Sequence, residues 1–305
     1  MGCIAINWGS TNFRAYLLDA DGRLLDEMSD ACGVSGLPRN RMVEIVAGVV
    51  NRWPDAHDII MSGMIGSNVG WIEAPYRVCP TSIRSIGEGT IETMIGDVCV
   101  HIIPGLTCRG PHGLPDIMRG EEVELSGAFR LSGAKEKQHF IALPGTHTKW
   151  ASVTGGVIDD FFTSMSGEIF DRLTRDGLLA SITDGRCEAG EAFSDGVGRG
   201  LSSGLSLGPL LFSARALVVR GELSRGDSGS YLRGILIGSE IRDAITLYPA
   251  LTQAGVTLVG SREPCSLYHK ALCLAGVEAT IVDARDAALA GYAAVIEPAF
   301  AVSGR

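Results

Sequence analysis

A chain of 305 residues, 46% hydrophobic and 20% charged, is long for one core and suits two domains of ordinary size. Its net charge of −9 argues against a nucleic-acid backbone as partner, yet local donors in an acidic protein still bind a phosphorylated ligand. The eight cysteines form no CxxC pair and no zinc-ligand spacing, which reads as reduced structural thiols in a cytoplasmic protein. A strand-like segment starts at residue 3 with no basic stretch before it, so no signal peptide is expected. Met1-Gly2-Cys3 is followed by Ile6 where myristoylation wants Ser or Thr. Ala244 to Ser261 is uncharged, but Pro249, Gln253 and Gly255 argue against a membrane span.

Residues 3–28 read as three strands, with Asp21-Gly22 marking a hairpin between Leu17-Leu18 and Leu24-Leu25. A helix is expected over 40–53, its apolar stripe set by Met42, Ile45, Val46 and Val49 and its end by Pro54. Ile59-Ile60-Met61 is a short buried strand that runs into the glycine-rich loop Ser62 to Ser67, and 98–104 is another strand. Gly105 to Pro115 reads as irregular, followed by a helix from about Arg119 that buries Leu125, Ala128 and Phe129. The polar stretch 133–138 suggests a boundary between domains 1–134 and 135–305.

The second half repeats the order. Three strands over 139–164 precede helices, with Pro209 suited to a first turn and 228–247 forming a long helix. Val256 to Ser261 is a strand ending in small residues, then come a helix from about Pro264, the segment 278–282 and an Ala-rich helix over 286–296. Strands followed by helices in each half give an α/β class with mixed sheets.

Each half opens on a glycine-hydroxyl turn between strands: Gly9-Ser10-Thr11-Asn12 and, about 136 residues later, Gly145-Thr146. Such turns can present backbone N–H groups and hydroxyls to a phosphate chain, although hairpins also use glycine with no ligand. No G-x-x-x-x-G-K-[ST] is present, and Gly196-Val197-Gly198-Arg199-Gly200 does not follow a strand as a dinucleotide loop would.

The two Gly-Thr hairpins and the Val259-Gly260-Ser261 turn resemble the sugar kinase, actin and heat-shock ATPase superfamily. More narrowly, four segments resemble the 2-dehydro-3-deoxygalactonokinase family: Trp8 to Ala15, Met61 to Tyr76, Asp116 to Glu122 and Leu143 to Trp150. The resemblance runs in order from residue 4 to about 296. It implies two actin-like (ribonuclease H-like) domains with mixed sheets flanked by helices and a nucleotide cleft between them. It also implies ATP and Mg²⁺ as cofactors, and phosphorylation of the 6-hydroxyl of 2-dehydro-3-deoxy-D-galactonate in galactonate breakdown. The epimer preferred stays open, as does pairing into a homodimer.

From the resemblance and the local chemistry, Gly9, Ser10, Thr11 and Asn12, with Gly145 and Thr146, cradle the phosphates. Gly260 and Ser261 fit an adenosine turn. Lys149 either reaches the phosphates or stands solvated on its strand. Asp116, after a proline and just before an expected helix, is the candidate base or else a helix N-cap. Glu121 is the alternate base or metal partner, while Glu122 is expected in solvent. The carboxylate of a sugar acid needs a cation, with Arg14, Arg77 and Arg119 as candidates. Ser62, Gly63, Trp71, Glu73, Tyr76 and Glu168 are candidates for the substrate side, Trp71 and Tyr76 doubling as core packing.

One departure matters: the superfamily's first strand usually ends in an Asp that holds Mg²⁺, and here it ends in Asn7. That leaves open weaker metal binding, compensation by another carboxylate, or a protein that binds without turnover. A phosphohydrolase of the same superfamily is a further alternative.

Overall fold

The computed structural model describes residues 2–133, 137–183 and 187–301, and side chains up to residue 296. The boundary expected at 134/135 lies outside the described residues. The chain opens with β1 (Gly2–Trp8), β2 (Phe13–Leu18) and β3 (Leu24–Asp30), then α1 (Arg39–Arg52) and β4 (Ala56–Gly63). Short strands follow: β5 (Tyr76–Val78), β6 (Thr81–Ser82), β7 (Ile91–Ile95), β8 (Val98–Ile102), β9 (Gly105–Arg109) and β10 (Pro115–Met118). After α2 (Glu121–Ser132) come β11 (Gln138–Leu143), β12 (Thr148–Thr154) and β13 (Val157–Ser164). Four helices come next: α3 (Ser166–Arg175), α4 (Glu191–Ser202), α5 (Leu207–Val219) and α6 (Arg225–Leu247). The chain ends with α7 (Leu251–Ala254), β14 (Val256–Gly260), α8 (Arg262–Leu274), β15 (Ala279–Asp283) and α9 (Ala284–Ala301).

The first sheet has the order β3-β2-β1-β4-β8-β7, and the second runs β15-β14-β11-β12-β13 before β6. In both, the opening strand of the half is central, with its second and third strands on one side and two parallel strands on the other, the first sheet adding β7 antiparallel to β8 at its edge. A central strand is covered on both faces, which is why Ile4, Ala5, Ile6 and Trp8 of β1 are all buried. The hairpin at Asp21-Gly22 closes through Asp19, whose Oδ1 accepts the amides of Asp21 and Arg23. Gly22 there has φ of 76°, a conformation that favours glycine.

The stretch expected to be irregular is instead the hairpin β9–β10, part of a small sheet ordered β10-β9-β5. Its strands are short, and the turn residues Pro111, His112 and Gly113 dominate the local sequence signal. Leu106 and Cys108 nonetheless alternate inward. One consequence is that Asp116 sits on β10, not at a helix start; α2 begins at Glu121 after Gly120.

The chain forms two compact units, one of residues 1–137, 153–160 and 284–305, the other of 138–152 and 161–283. A division in chain order therefore differs in two places: the tip of the β12–β13 hairpin and the whole of α9 group with the first unit. Backbone proximity accounts for α9. A Cβ on Gly127 of α2 would fall 1.7 Å from the Ala287 carbonyl oxygen, and one on Gly291 would fall 2.0 Å from that of Val123.

In the second unit α4 crosses α6 in the same manner. The glycine run at 196–200 serves this crossing: Cβ atoms on Gly196 and Gly200 would lie 2.2 and 2.5 Å from carbonyl oxygens of Tyr231 and Ile235. Gly234 answers from α6, 2.2 Å from the Phe193 carbonyl oxygen, whereas Gly198 faces open space. Gly234→Ala should therefore destabilise the protein by about 1–3 kcal/mol through overpacking. Gly198→Ala should be neutral or stabilise by up to about 1 kcal/mol through helix propensity. Urea unfolding of the two variants checks the contrast, and equal effects would contradict this account of the crossing.

Candidate active site

The first glycine-hydroxyl loop is stitched to the segment that follows β3. The carbonyl oxygens of Gly9, Ser10 and Thr11 accept the amides of Val34, Ser35 and Gly33 at 2.9, 3.1 and 3.0 Å. The Gly9 amide closes the turn on the Asn12 carbonyl at 2.9 Å, and Ser10, Thr11 and Asn12, with their hydroxyls and side-chain amide, are exposed. Gly33 permits the approach, because a Cβ there would sit 2.0 Å from the Ser10 oxygen. Sequence reasoning missed this glycine, which lies outside the turn.

Beside the loop, the ends of β1 and β4 meet the start of α2. Asn7 pairs with Arg14 on β2 and Ser62 on β4. Its amide Nδ2 lies 3.4 Å from Glu124 Oε1. Gly63 has φ of 93°, and a Cβ on it would meet the Trp8 oxygen at 2.6 Å and Asn7 Oδ1 at 3.3 Å. Gly120 abuts Gly63 in turn, its Cβ position 3.1 Å from the Gly63 Cα. Ser62 is fully buried, its hydroxyl 2.6 Å from the Tyr292 hydroxyl of α9, so it braces the first unit.

The three candidate arginines have different surroundings. Arg14 is exposed on the strand next to Asn7. Arg77 donates to the Glu88 carbonyl at 2.8 Å and to Ser85 Oγ at 3.2 Å. Arg119 is buried, donates Nη2–H to the Ala74 carbonyl at 2.6 Å and lies 4.3 Å above the Tyr76 ring. Its Nε and Nη1 are buried without a hydrogen-bond partner. Tyr76 is thus under a guanidinium, and Trp71 carries Arg39 at 4.9 Å while donating to the Met94 carbonyl. Glu73 is exposed in the same loop.

The acidic turn of α2 is arranged otherwise than expected. Glu121 accepts the Arg119 amide at 3.1 Å. Glu122, expected in solvent, is fully buried: its Oε2 accepts the Gly120 amide at 2.6 Å and its Oε1 meets no donor. Glu122 stands three and four residues before Leu125 and Ser126 and so shares their buried stripe. Burial first, and then the neighbouring Glu121 carboxylate, push the Glu122 carboxyl up to about 8. Asp116 on β10 is half-buried, its Oδ1 accepting the Ile117 amide.

In the second unit the Gly145-Thr146-His147 turn is exposed and held from behind. The start of α3 closes on its carbonyls: Thr146 O accepts the Glu168 amide at 3.0 Å, and a Cβ on Gly167 would lie 2.3 Å from the Gly145 oxygen. Glu168 also binds His147 Nε2 at 2.7 Å, a hydrogen bond that holds its carboxyl below the usual range. Lys149 is buried with Nζ on Thr163 Oγ1 at 2.7 Å, which removes the solvated alternative.

Beneath the turn lies a buried hub that the sequence did not disclose. The Tyr268 hydroxyl lies 2.9 Å from Thr148 Oγ1, 3.0 Å from Ser166 Oγ, and 3.0 and 2.9 Å from the two Glu240 oxygens. Trp150 Nε1 donates to Glu240 at 2.7 Å. Burial raises the Glu240 carboxyl even against these donors. Tyr268 and Glu240 stand on two separate helices, α8 and α6, so no local pattern marks them.

Gly260 ends β14 with a Cβ position 3.6 Å from the Pro144 oxygen, and the exposed Ser261 precedes α8. A cavity of about 510 Å³ at the start of α8 is lined by Phe170, Cys187, Arg233, Glu263, Pro264 and Leu267, among others. Another of about 530 Å³ is walled by Glu188, Glu191, Asp195, Glu222 and Asp227, a lining that repels polyphosphate.

Residues 7–295 match the 2-keto-3-deoxy-galactonokinase family. The chain belongs to that family. A relative in Escherichia coli (strain K12), named 2-dehydro-3-deoxygalactonokinase, is 36% identical over 296 residues, covering 96% of both chains. A crystal structure from Sinorhizobium meliloti, provisionally assigned the same name, has a TM-score of 0.87 at 31% identity and covers 99% of both chains. The (R)-2-hydroxyglutaryl-CoA dehydratase component A of Acidaminococcus fermentans has a TM-score of 0.51 at 12% identity, over 98% of this chain and 99% of that one. At that identity it speaks to fold alone. This galactonokinase-family chain is thus α/β with two actin-like domains, their mixed sheets flanked by helices.

Tyr268→Phe removes the hub's hydroxyl and strips a donor from buried Glu240. It should destabilise the second unit by about 2–4 kcal/mol and quicken amide exchange at 145–148 more than elsewhere. Uniform exchange would contradict the hub's role.

Glu122 predicts a pH dependence. Between the ordinary carboxylate value of 4.5 and about 8, the folded state keeps a proton that the unfolded state has lost. Its contribution to stability is therefore complete below the lower value and declines as pH rises to the upper one, on the order of 1.4 kcal/mol per pH unit. Glu122→Gln should flatten that decline in denaturant titrations, and an unchanged slope would contradict it.

Proposed function

We propose that this chain transfers the γ-phosphoryl group of ATP to the 6-hydroxyl of 2-dehydro-3-deoxy-D-galactonate, giving the 6-phosphate in galactonate breakdown. The observation that carries the reading is its near full-length relationship to the Escherichia coli kinase of that name. Two exposed loops rich in glycine and hydroxyls, their carbonyls taken up by neighbouring amides, support what phosphoryl transfer demands of a protein, positioning and charge neutralisation. Gly9 to Asn12 and Gly145-Thr146 hold the phosphates in this reading. Gly260, Ser261 and the cavity lined by Phe170, Arg233 and Pro264 take the nucleoside.

The substrate carboxylate goes to Arg119. A buried guanidinium with two unmet nitrogens is costly alone and is completed by a carboxylate. Trp71, Glu73, Tyr76, Gly63 and Arg77 surround that position in the proposal, with Arg14 nearer the phosphates and Glu168 behind the second loop. Glu121, within two residues of Arg119, and Asp116 are the candidate bases for the 6-hydroxyl proton. As that proton leaves, the oxygen attacks the γ-phosphorus and ADP departs. Mg²⁺ accompanies ATP and neutralises its phosphate charge. Asn7 brings none, but Glu124 beside it restores a carboxylate, so these two residues fit the ion. Eight free thiols and the use of ATP support a cytoplasmic setting.

Asn7 also favours a second reading, a protein that binds sugar acid and nucleotide without turnover. ADP release with Mg²⁺-ATP and the galactonate-derived acid, its gluconate epimer or no sugar separates the two. The proposal expects release that depends on the galactonate form; a rate indifferent to sugar, or none in protein that binds ATP, would overturn it. Arg119→Met should raise KM for the sugar acid by about 10- to 100-fold while leaving KM for ATP within about twofold.

A further inference from the structure

The edge hairpin β7–β8 carries a cluster that none of the kinase chemistry uses. Cys99 and His101 stand two apart on β8 and so project from one face. Glu92 on β7 is directly opposite His101 in the antiparallel register. One ligand atom from each of the three lies within 4.8 Å of the others, and Glu92 Oε2 is 4.0 Å from His101 Nε2. Linear spacing gave no hint, because the third ligand comes from the neighbouring strand.

We propose that Glu92, Cys99 and His101 form a binding site for a zinc-class divalent cation. The donor set decides the class: thiolate and imidazole with one carboxylate suit Zn²⁺ or Co²⁺, whereas Mg²⁺ and Ca²⁺ take oxygen ligands. Bond lengths of about 2.0–2.3 Å place tetrahedral ligand atoms about 3.3–3.8 Å apart, so the trio closes on an ion by side-chain adjustment of about 1 Å. The backbone already fixes which side chains face one another. The imidazole is mostly buried, with 13% of its side chain exposed, while Glu92 and Cys99 are open to an arriving ion. Solvent fills the fourth position.

The site also has a position in the fold. Cys99 pairs across the hairpin with Met94, and the Met94 carbonyl accepts Trp71 Nε1 at 2.9 Å. An ion bridging β7 and β8 therefore pins the edge strand to which the loop of Trp71, Glu73 and Tyr76 is tied. Binding should stiffen the strand that holds this loop.

The test uses the full chain, reduced and stripped with a chelator, titrated with Co²⁺ in excess Mg²⁺. The proposal expects one equivalent, with a near-ultraviolet thiolate-to-cobalt band that Zn²⁺ displaces. Cys99→Ser should abolish the band, and Glu92→Gln should weaken binding about tenfold. Cys273→Ser should leave the band intact; this second control matters because Cys273 lies 3.8 Å from His269 on α8. Zn²⁺ should raise the Tm of the unsubstituted chain and not that of Cys99→Ser. Absence of the band, its survival in Cys99→Ser, or its loss in Cys273→Ser would overturn the site.

Discussion

The constraint on which this structure depends is that the carbonyl side of each glycine-hydroxyl loop must be occupied. A turn between strands has amides and carbonyls of equal claim, and an anion is attracted only if the carbonyls face elsewhere. In the first unit the amides of Gly33, Val34 and Ser35 take up the carbonyls of 9–11. In the second, the start of α3 does so through the Glu168 amide and the close approach of Gly167. Both solutions use a glycine at which a side chain would strike the loop's own backbone.

The remainder of each unit makes that arrangement rigid. The sheet order repeated in both halves sets the opening strand at the centre, so the loop at its end is backed by a buried strand. The Tyr268–Glu240 hub then ties Thr148, at the end of the second loop, to Ser166, at the start of α3. A buried carboxylate is expensive, and here Trp150 and Tyr268 donate to it from β12 and α8. Glycine-lined crossings, α4 on α6 and α2 on α9, bring helices close enough to complete the packing.

The elements were legible in the sequence wherever a local rule governs them. The hairpin at Asp21-Gly22, the stripe of α1 and the two Gly-hydroxyl turns follow from turn chemistry and periodicity within a few residues. What was not legible depends on partners distant in sequence. Glu122 reads as a solvated helix-start acid, and only the packing of the face it shares with Leu125 and Ser126 buries it. Tyr268 and Glu240 are 28 residues apart and meet only because α6 and α8 pack together. The grouping of α9 with the first unit rests on backbone contact with α2, which no window of sequence contains. Asp116 reads as a helix-start acid because the turn residues between two short strands conceal them.

The departure at the end of β1 bears on the chemistry most directly. An amide stands where the superfamily pattern has a carboxylate, and Glu124 lies beside it. Whether phosphoryl transfer to the sugar acid takes place is best read from the product. Incubation with Mg²⁺-ATP and 2-dehydro-3-deoxy-D-galactonate labelled with carbon-13 at C6 should yield a phosphate monoester whose phosphorus couples to the labelled carbon in the NMR spectrum. Inorganic phosphate as the only phosphorus product besides ADP, with no coupling to C6, would contradict the account.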